Sequence, residues 1–300
     1  MAIETASTPE LRRQYVKLCD LRDFDDPALR ARIADIVPGL EPEHEVHRKY
    51  WEYGMLSLFL EDAGMLNEQT EALSVAAGHE DVLFWLANRI GRMVATDIYG
   101  VGQFAHREAD ATMLDDPGKF APYPFREDRL EVLEMNALDL KFADASFDVV
   151  FSLNSIEHFG GRKEIVQAAR EMARVLRPGG VAFIVTECFV GRHPFNSRFV
   201  QTGVRFATLG RLCAIASPRR RIVDVMTREE VMSRIVKATG LELLQPLDHR
   251  VSRESHDNVI HLGWDATLTS RSGESWPHVM LEAYGPPWTS IALALRKPSA

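Results

Sequence analysis

Cysteine is scarce: Cys19, Cys188 and Cys213 are the three in 300 residues, scattered along the chain. They offer neither a disulfide framework nor the paired spacing of a zinc site, so a reduced, cytoplasmic setting is expected. Long apolar runs are also missing. No stretch reaches the roughly 18 residues that cross a bilayer. The opening MAIETASTPELRRQ lacks a signal-peptide core, so neither a span nor a leader is expected. Acid is missing locally. Between Cys188 and Val223 there is none, while Arg192, Arg198, Arg205, Arg211, Arg219, Arg220 and Arg221 all occur, in a chain whose net charge is −8. That segment is built to meet an anion or to lie against acidic protein surface. The remainder is strongly acidic and carries no stripe of basic and aromatic residues, which disfavours nucleic acid as a partner.

What is present suits a large α/β domain with additions, or two small domains: 46% of residues are apolar and 26% charged. Residues 1–70 read as a helical cap. In HRKYWEYGMLSLFLEDAGML, Trp51, Met55, Leu58 and Phe59 fall at helical spacing before Gly64. Strand and helix signals then alternate. ALSVAA (72–77), MVATDI (93–98), RLEVLEMNA (129–137), SFDVVFSLNS (146–155) and VAFIVTE (181–187) are strand-like. DVLFWLANR (81–89) and RKEIVQAAREMARVLR (162–177) are helical, the second closed by Pro-Gly-Gly. TREEVMSRIVKATG opens a further helix with a Thr cap and a capping-box Glu230, LELL follows as a strand, and SIALALRK (290–297) is another. This rhythm predicts a doubly wound, mostly parallel sheet with helices on both faces. Residues 71–300 then form one domain with insertions at about 99–129 and 188–226, which are expected to carry substrate. Its ligand belongs at the carboxyl ends of the strands, near the topological switch point.

Glycine is scarce where many nucleotide enzymes need it. SVAAGHEDVLFWLANRI (74–90) takes a strand into a helix through Gly78 alone. A dinucleotide requires close backbone approach to two phosphates, hence G-x-G-x-x-G. The missing glycines therefore weigh against an NAD(P)-dependent oxidoreductase. A cofactor without phosphate needs only a tight turn of small residues, which Ala76, Ala77 and Gly78 supply. Asp97 follows Gly78 at close to the roughly 20-residue spacing at which an acid accepts the ribose hydroxyls of an adenosine cofactor.

NALDLKFADASFDVVFSLNSIEHFGG, followed by EMARVLRPGGVAFIVTE, resembles the class I S-adenosylmethionine-dependent methyltransferases, especially the type 11-like group with D-A-x-x-L-P-F and then S-F-D. The resemblance covers roughly residues 70–187, with 227–245 and 290–297 matching the closing elements. It implies a seven-stranded Rossmann-like sheet, S-adenosylmethionine as cofactor, and Ala76, Gly78, Asp97, Ile98, Asn136, Ala137 and Asn154 as cofactor-lining positions. Two departures stand out. AAGHE replaces a glycine-rich motif, and Asn136 stands where an aspartate often meets the adenine amino group; an amide oxygen can still accept that bond. The reduced motif leaves open a catalytically inactive, methyltransferase-like binding module.

Methyl transfer is an in-line displacement, and a hydroxyl acceptor must also lose its proton. SIEHFGG places Glu157 and His158 just past the fourth strand, where a histidine suits the base. Packing roles are the alternative for both. Relatives with E-x-x-E-H hold a divalent metal there. Here the run is N-S-I-E-H: Glu157 and His158 remain, the Asn154 oxygen is a poor third ligand and His193 could complete a site, so a metal is not favoured and its ligands stay unassigned. His79 and Glu80 are read as opening the next helix, with Glu80 and Asp81 complementing its dipole.

In NSRFVQTGVRFATLGRLCAIA (196–216) arginines interleave with apolar residues. Three readings stand: a lid over an anionic or sugar-rich acceptor, a basic helix in peripheral contact with a membrane, or a core helix paired with acidic neighbours. Trp264, Trp276, Tyr284 and Trp288 could likewise line a pocket or pack. The resulting expectation is O-methylation of a small-molecule acceptor, a carbohydrate or secondary metabolite.

Overall fold

The computed structural model describes residues 11–102, 104–105, 107–191, 225–262, 277–282 and 286–299. In chain order the elements are β1 (Lys17–Leu18), α1 (Pro27–Ile36), α2 (Arg48–Asp62), β2 (Glu71–Val75), α3 (Asp81–Ala87), β3 (Arg92–Asp97), α4 (Thr112–Asp115), β4 (Leu130–Glu134), β5 (Phe147–Leu153), α5 (Arg162–Val175) and β6 (Leu176–Phe189). After 191 come α6 (Arg228–Val231), β7 (Glu242–Leu243), α7 (Arg253–Asp257), β8 (Ile260–His261), β9 (Leu281–Glu282) and β10 (Trp288–Arg296).

The strands form one sheet in the order β4-β3-β2-β5-β6-β10-β9-β8, with β1 and β7 also on β10. β4 through β6 run parallel to one another, and β10 pairs antiparallel with β6 from Trp288↔Phe189 to Arg296↔Val181. Four of the five parallel strands read as apolar runs because helices cover them. The doubly wound sheet is as expected, but it has ten strands among the described residues where seven were expected. The excess consists of short pairings. β9, β1 and β7 occupy the outer edge of β10 in tandem, at Trp288, at Ile291–Ala292 and at Leu295–Arg296. An edge so covered cannot template another chain.

Two boundaries differ from the sequence reading for identifiable reasons. α5 buries Ile165, Ala168, Ala169, Met172, Ala173 and Val175 on one stripe, then ends at Val175. Pro-Gly-Gly lies inside β6 as a register shift between Phe147 and Val149 of β5, where a Cβ on Gly180 would come within 2.7 Å of the Asp148 carbonyl oxygen. The helix opening at Thr227 has the expected capping box with Glu230, but Met232–Val236 forms a π-turn before Lys237–Thr239.

Within residues 1–70, α2 is buried almost all round, from Arg48 and Trp51 through Leu60. Such a helix is core rather than surface. Phe59 stacks on Phe183 of β6 at 5.4 Å, and α1 closes the other side. There a Cβ on Gly54 would fall 2.5 Å from Leu29 Cδ1, so any side chain at residue 54 would have to displace Leu29. Among the described residues no helix is long and apolar enough to cross a membrane.

Candidate cofactor and acceptor site

β2 lies between β3 and β5, so the chain reverses its direction of winding between β2 and β5. At their carboxyl ends the backbone is unusual. Ala76 and Gly78 after β2, and Asn154 after β5, have left-handed φ of 56°, 51° and 55°. Non-glycine residues avoid this region, and such strain concentrates at functional turns. Gly78 admits no side chain, because a Cβ there would lie 2.5 Å from the Glu108 carbonyl oxygen.

Asp97, ending β3, accepts the Gly78 N–H at 2.9 Å on one oxygen and the Ile98 N–H at 2.7 Å on the other. Burial pushes its carboxyl up, and those two donors oppose the shift. Each oxygen keeps a lone pair for a further donor. The Met135 N–H bonds the Asp97 carbonyl, which brings Asn136 and Ala137 alongside. Asn136 is exposed, and its side-chain oxygen accepts the Leu138 N–H at 2.9 Å. Ile98 and Val101, 42% and 58% exposed, are the exposed large apolar side chains among the described residues. Ala76, Gly78, Asp97 and Asn154 thus surround the switch point, with Ile98, Asn136 and Ala137 on its rim.

Glu157 and His158 diverge. Glu157 is 3% exposed; Thr186 Oγ1 donates to its Oε2 at 2.8 Å, and its Oε1 has no partner among the described residues. Burial raises this carboxyl to about 7, with Glu187 adding and His158 opposing. His158 is exposed, its ring 5.1 Å from that of Phe104. No group of three His, Cys, Asp or Glu side chains among the described residues could hold a metal. The Asn154 amide nitrogen donates to Glu52 at 3.0 Å. His193, segment 196–216, Trp264, Trp276 and Tyr284 lie outside the described residues. Trp288 is buried in the core at the start of β10.

The sequence reading missed two contributions. The 99–129 insertion folds over the cofactor loop. The Tyr99 hydroxyl donates to the Gly78 carbonyl at 2.8 Å, and His79 sits against Phe120 at 4.6 Å and the Arg107 carbonyl at 3.0 Å. The second contribution comes from α2. Lys49 pairs with Glu80 and Glu52, Glu52 accepts from Ser290 Oγ at 2.7 Å, and Arg48 pairs with Glu187 at the end of β6. Glu80 is the N-cap of α3, but its side chain makes no cap bond and turns to Lys49 instead. Charges interrupting an otherwise apolar helix, RKYWE, were the available signal. Two surface cavities of about 410 and 450 Å³ lie elsewhere, between α1 and α2 and around Arg177 and Gly179.

A family model described as "Methyltransferase domain" matches residues 73–184, the span from β2 into β6 that carries these turns. That span places residues 73–184 among the class I S-adenosylmethionine-dependent methyltransferase domains. Two relatives agree with this placement. Methyltransferase GfsG of Streptomyces halstedii is 31% identical over 172 residues, covering 54% of this chain and 54% of that protein. Erythromycin 3''-O-methyltransferase of Saccharopolyspora erythraea is 29% identical over 199 residues, covering 57% of this chain and 60% of the relative. The chain thus spans little more than half the length of these curated relatives. The crystal structure of the cyclase SpnF superposes with a TM-score of 0.50 at 15% identity, covering 96% of this chain and 100% of that one. At such identity the likeness concerns the fold alone.

Proposed function

We propose that this chain binds S-adenosylmethionine at the carboxyl edge of β2 and β3 and methylates a hydroxyl of a small acceptor, a carbohydrate or secondary metabolite. Asp97 carries the reading. It pins the loop's one glycine while keeping lone pairs for ribose hydroxyls, beside exposed Ile98 and Val101 that an adenine ring would cover. The site fits such a ligand in a second respect: Asn154 Oδ1 is buried without a partner among the described residues.

Bound there, the cofactor supplies a methyl group on positively charged sulfur. His158, exposed beside Phe104, would then be placed to take the proton that a hydroxyl acceptor gives up on methylation. Glu157 supports the turn that presents His158, from behind. The acceptor class is supported by relatives named as O-methyltransferases, including the 3''-O-methyltransferase above.

Calorimetric titration with S-adenosylhomocysteine, with NADH and NADPH as controls, tests the reading. One-to-one binding of the first alone is expected, and Asp97→Ala should weaken it by about 1.5–3 kcal/mol. Binding of a nicotinamide cofactor instead would reject it. Tight cofactor binding without turnover on any acceptor would favour the inactive binding module.

A further inference from the structure

The Lys49 ammonium sits among three acceptors: Glu80 Oε1, Glu52 Oε2 at 3.3 Å and the Leu153 carbonyl oxygen at 3.1 Å. Glu52 is completely buried, and its other oxygen takes Asn154 Nδ2 at 3.0 Å and Ser290 Oγ at 2.7 Å. Two carboxylates therefore share one ammonium, and Asp97 stands across the loop, so negative charge is in surplus. Burial pushes the Glu80 carboxyl up to about 7; Lys49 opposes this, and Glu52 and Asp97 add to it.

The Lys49 and Glu80 side chains are partly exposed, 31% and 13%. The second oxygen of Glu80 has no partner among the described residues. Asn154 shares Glu52 with Lys49, and its Oδ1 is buried and has no partner among the described residues. A free carboxylate oxygen, an orphaned amide oxygen and a negative surplus are together what a second primary ammonium would satisfy.

We propose that Glu80, held by Lys49, and Asn154 Oδ1 bind the α-ammonium of the methionine portion of S-adenosylmethionine, so that a side-chain charge does at residue 80 what a glycine-rich turn does with backbone. The assignment rests on the cofactor reading above. It would also explain why a polar, non-glycine residue is accommodated at the end of this loop.

The test compares three ligands by calorimetry: S-adenosylhomocysteine, its analogue lacking the amino group, and 5′-methylthioadenosine, which lacks the whole amino-acid end. The unaltered protein should bind the deaminated analogue about tenfold or more weakly than the parent. Glu80→Gln should lose about tenfold on S-adenosylhomocysteine and stay within about twofold on 5′-methylthioadenosine. Equal affinity of the unaltered protein for the parent and deaminated ligands would overturn the assignment even if the variant failed to fold. So would a parallel loss of both nucleosides in a folded Glu80→Gln. If the unaltered protein bound none of the three, the cofactor reading itself would fall.

Discussion

Glu157→Gln separates a buried, near-neutral carboxyl from an ordinary surface acid. Its native pKa is raised to about 7 from 4.5, chiefly by burial. A carboxyl held above its unfolded value binds a proton more tightly in the native state, so between those two values stability rises as pH falls, by up to about 1.4 kcal/mol per unit. Integrated from pH 8 down to pH 5, this one group should return about 2.5 kcal/mol to the native state. Gln keeps the shape and can still accept from Thr186 through its amide oxygen, but has nothing to ionise. The variant should therefore be the more stable protein at pH 8, with most of that advantage gone at pH 5. Urea midpoints followed by circular dichroism at the two pH values give the difference directly. If variant and parent changed in parallel, the carboxyl would be ionised throughout, and the account of its burial would be wrong. A stabilised variant that had also lost turnover would mark Glu157 as retained for function at a cost in stability.

Three further outcomes are expected. Gly78→Ala forces a Cβ to 2.5 Å from the Glu108 carbonyl at φ 51°; it should cost about 1–3 kcal/mol in loop strain, read as a lower melting temperature and weaker S-adenosylhomocysteine binding. His158→Ala should reduce turnover by roughly 10²–10⁴ with that binding nearly intact, and a loss of only a few-fold would return His158 to a packing role. His278 is 4% exposed, and burial and Arg48 lower its pKa from 6.5 to about 4. A base so depressed contributes stability that is complete above 6.5 and lost as pH falls toward 4, about 2 kcal/mol by pH 5. His278→Phe should flatten that part of the pH–stability curve, and an unchanged curve would contradict the burial argument.

What could be read from the sequence follows from how each element is buried. β2, β5 and β6 announce themselves as apolar runs because helices cover both faces, and α5 by its single buried stripe. α2 is buried on all sides, so its periodicity was real but its importance was not visible. β1, β7, β8 and β9 are two residues each and exist only because β10 and its neighbours offer an edge. The site residues nearest a strand end were the easiest to place. Glu157 and His158, adjacent in a 3₁₀ turn, face opposite ways, and no local pattern says which faces in. The Lys49–Glu80 pair joins a helix before the sheet to a loop within it. Nothing at either position alone indicates the other.

The position of β10 has a consequence for biosynthesis. Trp288–Arg296 is the shared partner of β6, β1, β7 and β9. Strands β2 to β6 can form a parallel sheet as soon as Phe189 has left the ribosome, but the free edge of β6 and the partner site of β1 stay open until β10 emerges. At roughly 5–20 residues per second, that interval is on the order of 5–20 s. During it a newly made chain presents the unpaired, apolar edge of β6 to its surroundings. Yield in the cell should therefore depend more on chaperone supply and elongation speed than the finished, edge-covered sheet would suggest.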